Sequence, residues 1–164
     1  MDWYAVQTKS HHERVVRDNL MRMYYSVFLP EKLFWSRRRD RRKEILTPLF
    51  PGYLFVAPGE NERWARDVVT TRSVVRILGQ GGHPMPVFRN EVESLRILLE
   101  SGKPVSPVSY AGSGDTVRIE DGPLTGAEGV VIRMSRKEHL VVSVALMHRS
   151  VAVELVNSQV MKIS

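Results

Sequence analysis

The side chains that could carry out chemistry in this chain are sparse, and their spacing argues for binding over catalysis. Among 164 residues there is no cysteine, which removes thiolate nucleophiles, disulfides and cysteine-ligated zinc together. His11-His12-Glu13 gathers three metal-ligating residues. Neighbouring helix positions point about 100° apart, so the trio lacks the i, i+4 geometry of a helical metal site, and no metal is expected. Gly79-Gln80-Gly81-Gly82 shares its glycine content with phosphate-binding loops. No Lys-Ser/Thr pair follows it, and Pro84 and Pro86 stand where a helix would have to begin, so a flexible turn is expected. Serine, histidine and carboxylate residues are nowhere set out as a triad. The chain is expected to have no catalytic residues and no cofactor.

Binding chemistry is better represented. Arg37-Arg38-Arg39-Asp40-Arg41-Arg42-Lys43 sets six bases against one acid, a net +5 within a short run. Residues 1–111 hold 18 Lys+Arg and 12 Asp+Glu, and residues 112–164 hold 6 of each, so the net charge of +6 lies wholly in the first part. Such a concentration suits phosphate oxygens. A solvated loop is the alternative, although dispersing the charge would avoid the self-repulsion that clustering creates.

Phe50-Pro51-Gly52-Tyr53 interrupts a strand-like run. Proline removes a ladder donor and glycine weakens a strand, so an edge or a bulge is expected. Tyr53 and Phe55 alternate with Leu54 and Val56, which allows one face to pack the core while the other carries aromatics outward. Either all of these side chains are core, or they form an exposed aromatic patch; with helices covering one face of the sheet, the exposed patch is favoured. A second motif runs from Gly114 through Asp121-Gly122-Pro123 to Gly126, Gly129 and Val130-Val131. Gly122-Pro123 and Gly126 permit tight reversals, and Gly129 lets the backbone approach a neighbouring strand.

The elements that position these motifs follow from periodicity. Trp3 to Thr8 reads as a buried strand, and Ser10-x-x-Glu13 is a capping box that starts a helix carrying Val16, Leu20 and Met23 on one side. Tyr25 to Leu33 and Leu49 to Ala57 read as strands joined through a hairpin whose basic tip spans residues 35–47. Asn61 to Thr71 has a helical face, Val74 to Leu78 is a strand, and a helix from Asn90 ends at Gly102. The order β-α-β-β-α-β plus a terminal helix predicts an α+β chain with a ferredoxin-like domain over residues 1–102. Residues 103–111 read as a linker. Five short β runs over residues 112–164 predict a small SH3-like barrel. With 43% apolar and 26% charged residues the composition is that of a globular domain. No run of about 18 apolar residues could span a bilayer, and the start at Met1-Asp2-Trp3-Tyr4 has no secretory character. A soluble, cytoplasmic monomer without a membrane partner is expected.

Trp3-Tyr4-Ala5-Val6-Gln7-Thr8, the run from Pro48 to Val56 and Glu91 to Glu93 resemble the N-terminal domain of the NusG family of transcription elongation factors, and residues 112–164 resemble its KOW domain. The resemblance implies a non-catalytic regulator that docks onto the clamp helices of RNA polymerase and suppresses pausing or termination. Position by position, Tyr4, Phe50, Pro51, Tyr53 and Phe55 match the docking patch of the family. Aromatics seated in a partner's pocket are typical interface anchors. The run from Pro48 to Val56 is closer to the specialised paralogues, RfaH and the polysaccharide-operon regulators, which act as operon-specific antiterminators.

Such paralogues read the non-template DNA strand through a basic face, and Lys9, Arg22 and Arg72 match positions on it. Arg14 and Arg17 lie on the same helix and add candidate phosphate contacts, as do Arg37, Arg38, Arg39, Arg41 and Arg42 on DNA or nascent RNA. Two departures stand out. The second polymerase contact of RfaH-like proteins falls at Trp64-Ala65-Arg66-Asp67, which lacks their His-Thr-Thr-Thr stretch. The barrel tip, a Phe-Gly pair in housekeeping NusG, is here Leu146-Met147-His148-Arg149, so Met147 and His148 are the candidate contacts for a ribosomal protein or termination factor. The glycine steps and valine-rich strands favour a β form of this domain. The other reading is an RNA-binding or ribosome-associated KOW module, because KOW barrels also occur in ribosomal proteins.

Overall fold

The computed structural model of the chain describes residues 1–35, 44–111, 114–156 and 160–163. Its fold is mixed α/β, with helices packed on antiparallel sheets. The elements in chain order are β1 (Trp3–Thr8), α1 (Glu13–Arg22), β2 (Ser26–Phe28), β3 (Glu31–Trp35), β4 (Glu44–Pro48), β5 (Tyr53–Ala57), α2 (Trp64–Val69), β6 (Val74–Ile77), β7 (Gly79–Gln80), β8 (His83–Pro84), β9 (Pro86–Val87) and α3 (Arg89–Glu100). They continue as β10 (Val105–Val108), β11 (Thr116–Ile119), β12 (Glu128–Met134), β13 (Lys137–Val144), a 3-10 turn (Ala145–Met147), β14 (Arg149–Glu154) and β15 (Val160–Lys162).

The first sheet has the order β2-β5-β1-β6, with β9 also pairing β1. Strand β1 is central because it is apolar on both faces: Ala5 and Val6 are each fully buried. Val6, Leu54 and Val56 share one buried cluster with Val16 and Leu20 of α1 and Val68 of α2. Ala5 and Phe55, paired across β1 and β5, point the other way and pack with Val92, Leu95 and Leu98 of α3. Helices thus cover both faces, where the sequence reading placed them on one. Tyr25 to Leu33 is two strands, β2 and β3, broken at Leu29-Pro30, since Pro30 has no N–H to donate. Strands β3 and β4 form a separate ribbon, paired from Glu31↔Pro48 to Trp35↔Glu44.

The capping box does not form. His11 has φ +64°, which turns the chain between Ser10 and the helix, and α1 begins at Glu13 after His12 without a side-chain cap. The second sheet is antiparallel with the order β10-β14-β13-β12-β11-β15. Its first strand lies in the segment 103–111 that reads as a linker. Val105 is buried opposite Val153, and Pro107 is tolerated because β10 is an edge strand whose other side needs no ladder donor. Gly129 makes the close approach expected of it: a Cβ there would lie 2.3 Å from the Val141 carbonyl oxygen on β13.

Helix α3 lies between the two sheets. The Glu128 N–H donates to Ser94 Oγ at 2.9 Å, Asn90 Nδ2 donates to Glu128 Oε2 at 2.9 Å, and the Ala145 N–H donates to Glu91 Oε1 at 3.1 Å. Lys32 and Lys103 donate to the Lys103 and Glu154 carbonyls. One buried cluster consequently runs from Ala5, Phe50 and Phe55 through α3 to Leu140, Val142 and Val151.

Candidate functional site

Phe50-Pro51-Gly52-Tyr53 is a tight turn feeding β5, neither an edge nor a bulge. The Tyr53 N–H donates to the Phe50 carbonyl at 3.0 Å, with proline second and glycine third at φ +85°, the residue signature of a type II turn. Both backbone groups of Gly52 are held. Its carbonyl accepts the Thr8 N–H at 2.8 Å, and its N–H donates to Glu13 Oε1 at 2.8 Å. Glu13 is only 5% exposed. The acid read from the sequence as a capping residue is therefore the anchor of this turn.

The aromatics of the turn are not an open patch. Phe50 and Phe55 are 2% and 0% exposed. Phe55 stacks on Phe28 with ring centroids 5.9 Å apart, and Phe28 meets Trp3 edge-on at 6.3 Å. The Arg96 guanidinium of α3 sits 4.7 Å from the Phe28 ring and 5.0 Å from the Trp3 ring, a cation–π arrangement. Tyr4 lies on the opposite sheet face, paired with Val56 and 4.3 Å from the Trp64 ring. The five candidate docking residues thus divide between two faces, because a strand alternates its side chains. Pro51 is exposed, and Tyr53 is half-buried with the Arg149 guanidinium 5.9 Å from its ring.

The candidate basic residues also divide. Glu31, with a side chain 8% exposed, takes both Arg14 and Arg17. Arg14 donates to its Oε2 at 2.9 and 2.7 Å and to the Leu46 carbonyl, and Arg17 donates to its Oε1 at 3.4 Å. These two arginines tie α1 to the β3–β4 ribbon and are charge-compensated. Lys9, Arg22 and Arg72 are exposed and have no acidic partner among the described residues. The Lys9 N–H donates to the Ser73 carbonyl at 2.9 Å, which brings Lys9 beside Arg72 at the start of α1, while Arg22 stands at its end. Arg37, Arg38, Arg39, Arg41 and Arg42 lie outside the described residues.

Met147 is 5% exposed and belongs to the buried cluster, so the apolar side chain expected to meet a partner faces inward. His148 is exposed at φ +54°, and its ring lies 3.8 Å from that of Tyr110 at a tilt of 35°. In the Trp64-Ala65-Arg66-Asp67 segment on α2, Asp67 Oδ2 accepts the Tyr25 hydroxyl at 2.6 Å. Burial, reinforced by that carboxylate, pushes the Tyr25 phenol up to about 12.

A family model described as transcription termination factor nusG matches residues 1–96. The chain is 33% identical over 192 residues to the transcription termination/antitermination protein NusG of Deinococcus radiodurans, covering 99% of each. It belongs to the NusG family. The corresponding NusG of Pseudomonas aeruginosa is 30% identical over 173 residues, with 98% of each chain covered. A solved structure concerned with domain interaction in Thermotoga maritima NusG is 28% identical, with a TM-score of 0.56 over 99% of this chain and 97% of that one. NusG proteins of this kind are transcription termination and antitermination factors, so the arrangement of residues is to be read as a binding scaffold and not as an active site. No helix among the described residues is long and apolar enough to cross a membrane.

The roles of three participants escape sequence reading. Glu13, Glu91 and Arg96 all act across elements distant in sequence. Glu13 carries a signal for burial, as an acid on the same helical face as Val16 and Leu20.

Proposed function

We propose that this NusG-family chain is a transcription elongation regulator that docks RNA polymerase through the surface around the Phe50–Tyr53 turn and suppresses pausing or termination as an operon-specific antiterminator. The observation that carries this reading is the double anchoring of Gly52 by Glu13 and Thr8. It holds Pro51 and Tyr53 at the rim of an aromatic face whose inner members, Phe50 and Phe55, are packed beneath them. A rigid turn presents its side chains without an ordering cost on binding.

The order β2-β5-β1-β6 supports a ferredoxin-like reading of residues 1–102, and the glycine-punctuated second sheet supports a KOW reading of residues 112–164. In the described conformation Arg149 covers Tyr53, so polymerase docking requires the second sheet to move away from this rim. Lys9, Arg22 and Arg72, together with Arg37, Arg38, Arg39, Arg41 and Arg42, then form the nucleic-acid face. The KOW domain, with His148 exposed, is left to recruit a ribosomal protein or termination factor.

Capture of core polymerase with the wild-type chain and with Tyr53→Ala tests the docking site. Tyr53 is the informative position, since truncating Phe50 would also open the core. Binding by the wild type and its loss in Tyr53→Ala is expected. A wild type that fails to bind, or a variant that binds equally well, removes the proposed surface. Transcription in vitro across terminator templates that differ in leader sequence tests the specialised role: antitermination confined to one leader is expected, and equal effects on all templates refute it.

A further inference from the structure

Tyr24 occupies a position for which tyrosine is poorly suited. Helix α1 ends in a Schellman arrangement: the Tyr24 N–H donates to the Met21 carbonyl at 2.9 Å and the Tyr25 N–H to the Leu20 carbonyl at 3.2 Å. The residue between helix and exit strand is left-handed, with φ +67° at Tyr24. Glycine is the usual occupant, because a Cβ crowds the following carbonyl there. Tyr24 receives no packing in return, being 96% exposed. Its neighbour Tyr25 is buried in one cluster with Leu20 and hydrogen-bonded to Asp67. That contact fixes the exit direction of the chain and holds the Tyr24 ring outward on a rigid stem.

The surroundings indicate what such a ring meets. Among the described residues, exposed Arg22 donates only to the neutral Asn19 Oδ1 at 3.1 Å, while the nearest helix acid, Asp18, is paired with Arg17. Met21 and Met23 flank the ring at 53% and 39% exposure. The 10-residue helix spans about 15 Å at 1.5 Å per residue, with Lys9 and Arg72 at its other end. An exposed aromatic beside an unpaired cation, with further cations along the same helix, matches the design of single-strand binding, in which bases stack on aromatic rings and cations follow the backbone.

We infer that Tyr24 is a stacking platform for one unpaired nucleobase, with Arg22 engaging the adjacent phosphate, at the far end of the cationic face that includes Lys9 and Arg72. This rests on the nucleic-acid reading of that face. Every base has a π surface, so the platform adds affinity with little sequence preference, and the same chemistry serves a DNA or an RNA strand.

The test measures binding of short, unstructured, labelled DNA and RNA single strands to the full chain and to Tyr24→Gly, Tyr24→Phe and Arg72→Gln. Tyr24→Gly is expected to bind about 5- to 100-fold more weakly while its melting temperature rises, because glycine relieves the left-handed backbone. Tyr24→Phe keeps wild-type affinity. The opposite signs for stability and binding exclude a folding defect as the cause. DNA affected more than RNA identifies the displaced strand as the ligand, and the reverse identifies the transcript. If Arg72→Gln weakens binding and Tyr24→Gly does not, the cationic face stands and the platform is overturned. If the wild type binds neither strand, both readings fail. If Tyr24→Gly keeps its single strands but loses core polymerase, the ring is a protein contact and the inference is wrong.

Discussion

Replacing Glu13 by alanine should destabilise the first sheet selectively. The carboxylate is 5% exposed and accepts the Gly52 N–H at 2.8 Å, so the substitution leaves a backbone donor with no side-chain partner at the most constrained point of the Phe50–Tyr53 turn. A hydrogen bond to a charged group contributes about 1.5–3 kcal/mol. An acid in the first helical turn contributes a further ~0.3–1 kcal/mol through the helix dipole. Release of the carboxylate from its desolvated position offsets part of this, giving an expected loss of about 2 kcal/mol. Glu13→Gln retains an acceptor and should cost roughly half as much. Denaturant titration followed by tryptophan fluorescence is the appropriate assay, because Trp3, Trp35 and Trp64 all lie in the first part of the chain. On the proposed docking role, the alanine variant should also bind core polymerase more weakly at temperatures where it remains folded. An alanine variant within about 0.5 kcal/mol of wild type, the range of ordinary surface substitutions, would refute the anchoring argument. So would a glutamine variant that costs as much as alanine.

Glu91 packs α3 against the second sheet, and burial raises its carboxyl above the ordinary carboxylate value despite the Ala145 N–H. The packed state therefore binds its proton more tightly, so packing is strongest below the ordinary carboxylate value and weakens as pH rises through the raised one. Glu91→Gln should flatten that dependence and slow hydrogen exchange at Ala145 near neutral pH. Spectrophotometric titration of the 5 tyrosines should show one phenol ionising near about 12, and Asp67→Asn should lower that step. Gly129→Ala places a Cβ 2.3 Å from the Val141 carbonyl oxygen and should cost about 2–3 kcal/mol in chemical denaturation. Ser135 and Arg136 both have positive φ, 51° and 66°, in the two-residue turn between Met134 and Lys137. Ser135→Asn with Arg136→Gly should raise stability by about 1 kcal/mol, because these are the residues such hairpin turns favour.

The packing of α3 accounts for much of what distinguishes the folded chain from its one-dimensional pattern. Val92, Leu95 and Leu98 cover the sheet face that carries Phe55, and Ser94 and Glu91 on the same helix receive N–H groups from the second sheet. One helix thus seals an aromatic surface and supports the neighbouring sheet. Any partner of that surface must contend with both contacts.

Local pattern was sufficient wherever the determining neighbours lie within a few residues. Trp3–Thr8 is a strand with the bounds its residue types indicate, and the requirement for glycine at position 129 follows from resumption of a valine-rich strand. The absence of cysteine removed thiolate, disulfide and cysteine-zinc chemistry. Period-two alternation also established that the two faces of β5 differ, but not that the Phe55 face is covered as well as the Leu54 and Val56 face. That was decided by α3, some 35 residues further along the chain, whose placement depends on the whole sheet. The same limit explains Arg14 and Arg17, whose charges are taken by Glu31 across a helix–ribbon contact. It also explains Glu13, diverted from its own helix to Gly52 once His11 turned the backbone. Short-range stereochemistry is written residue by residue, whereas burial and charge pairing belong to surfaces that exist only after distant elements have packed.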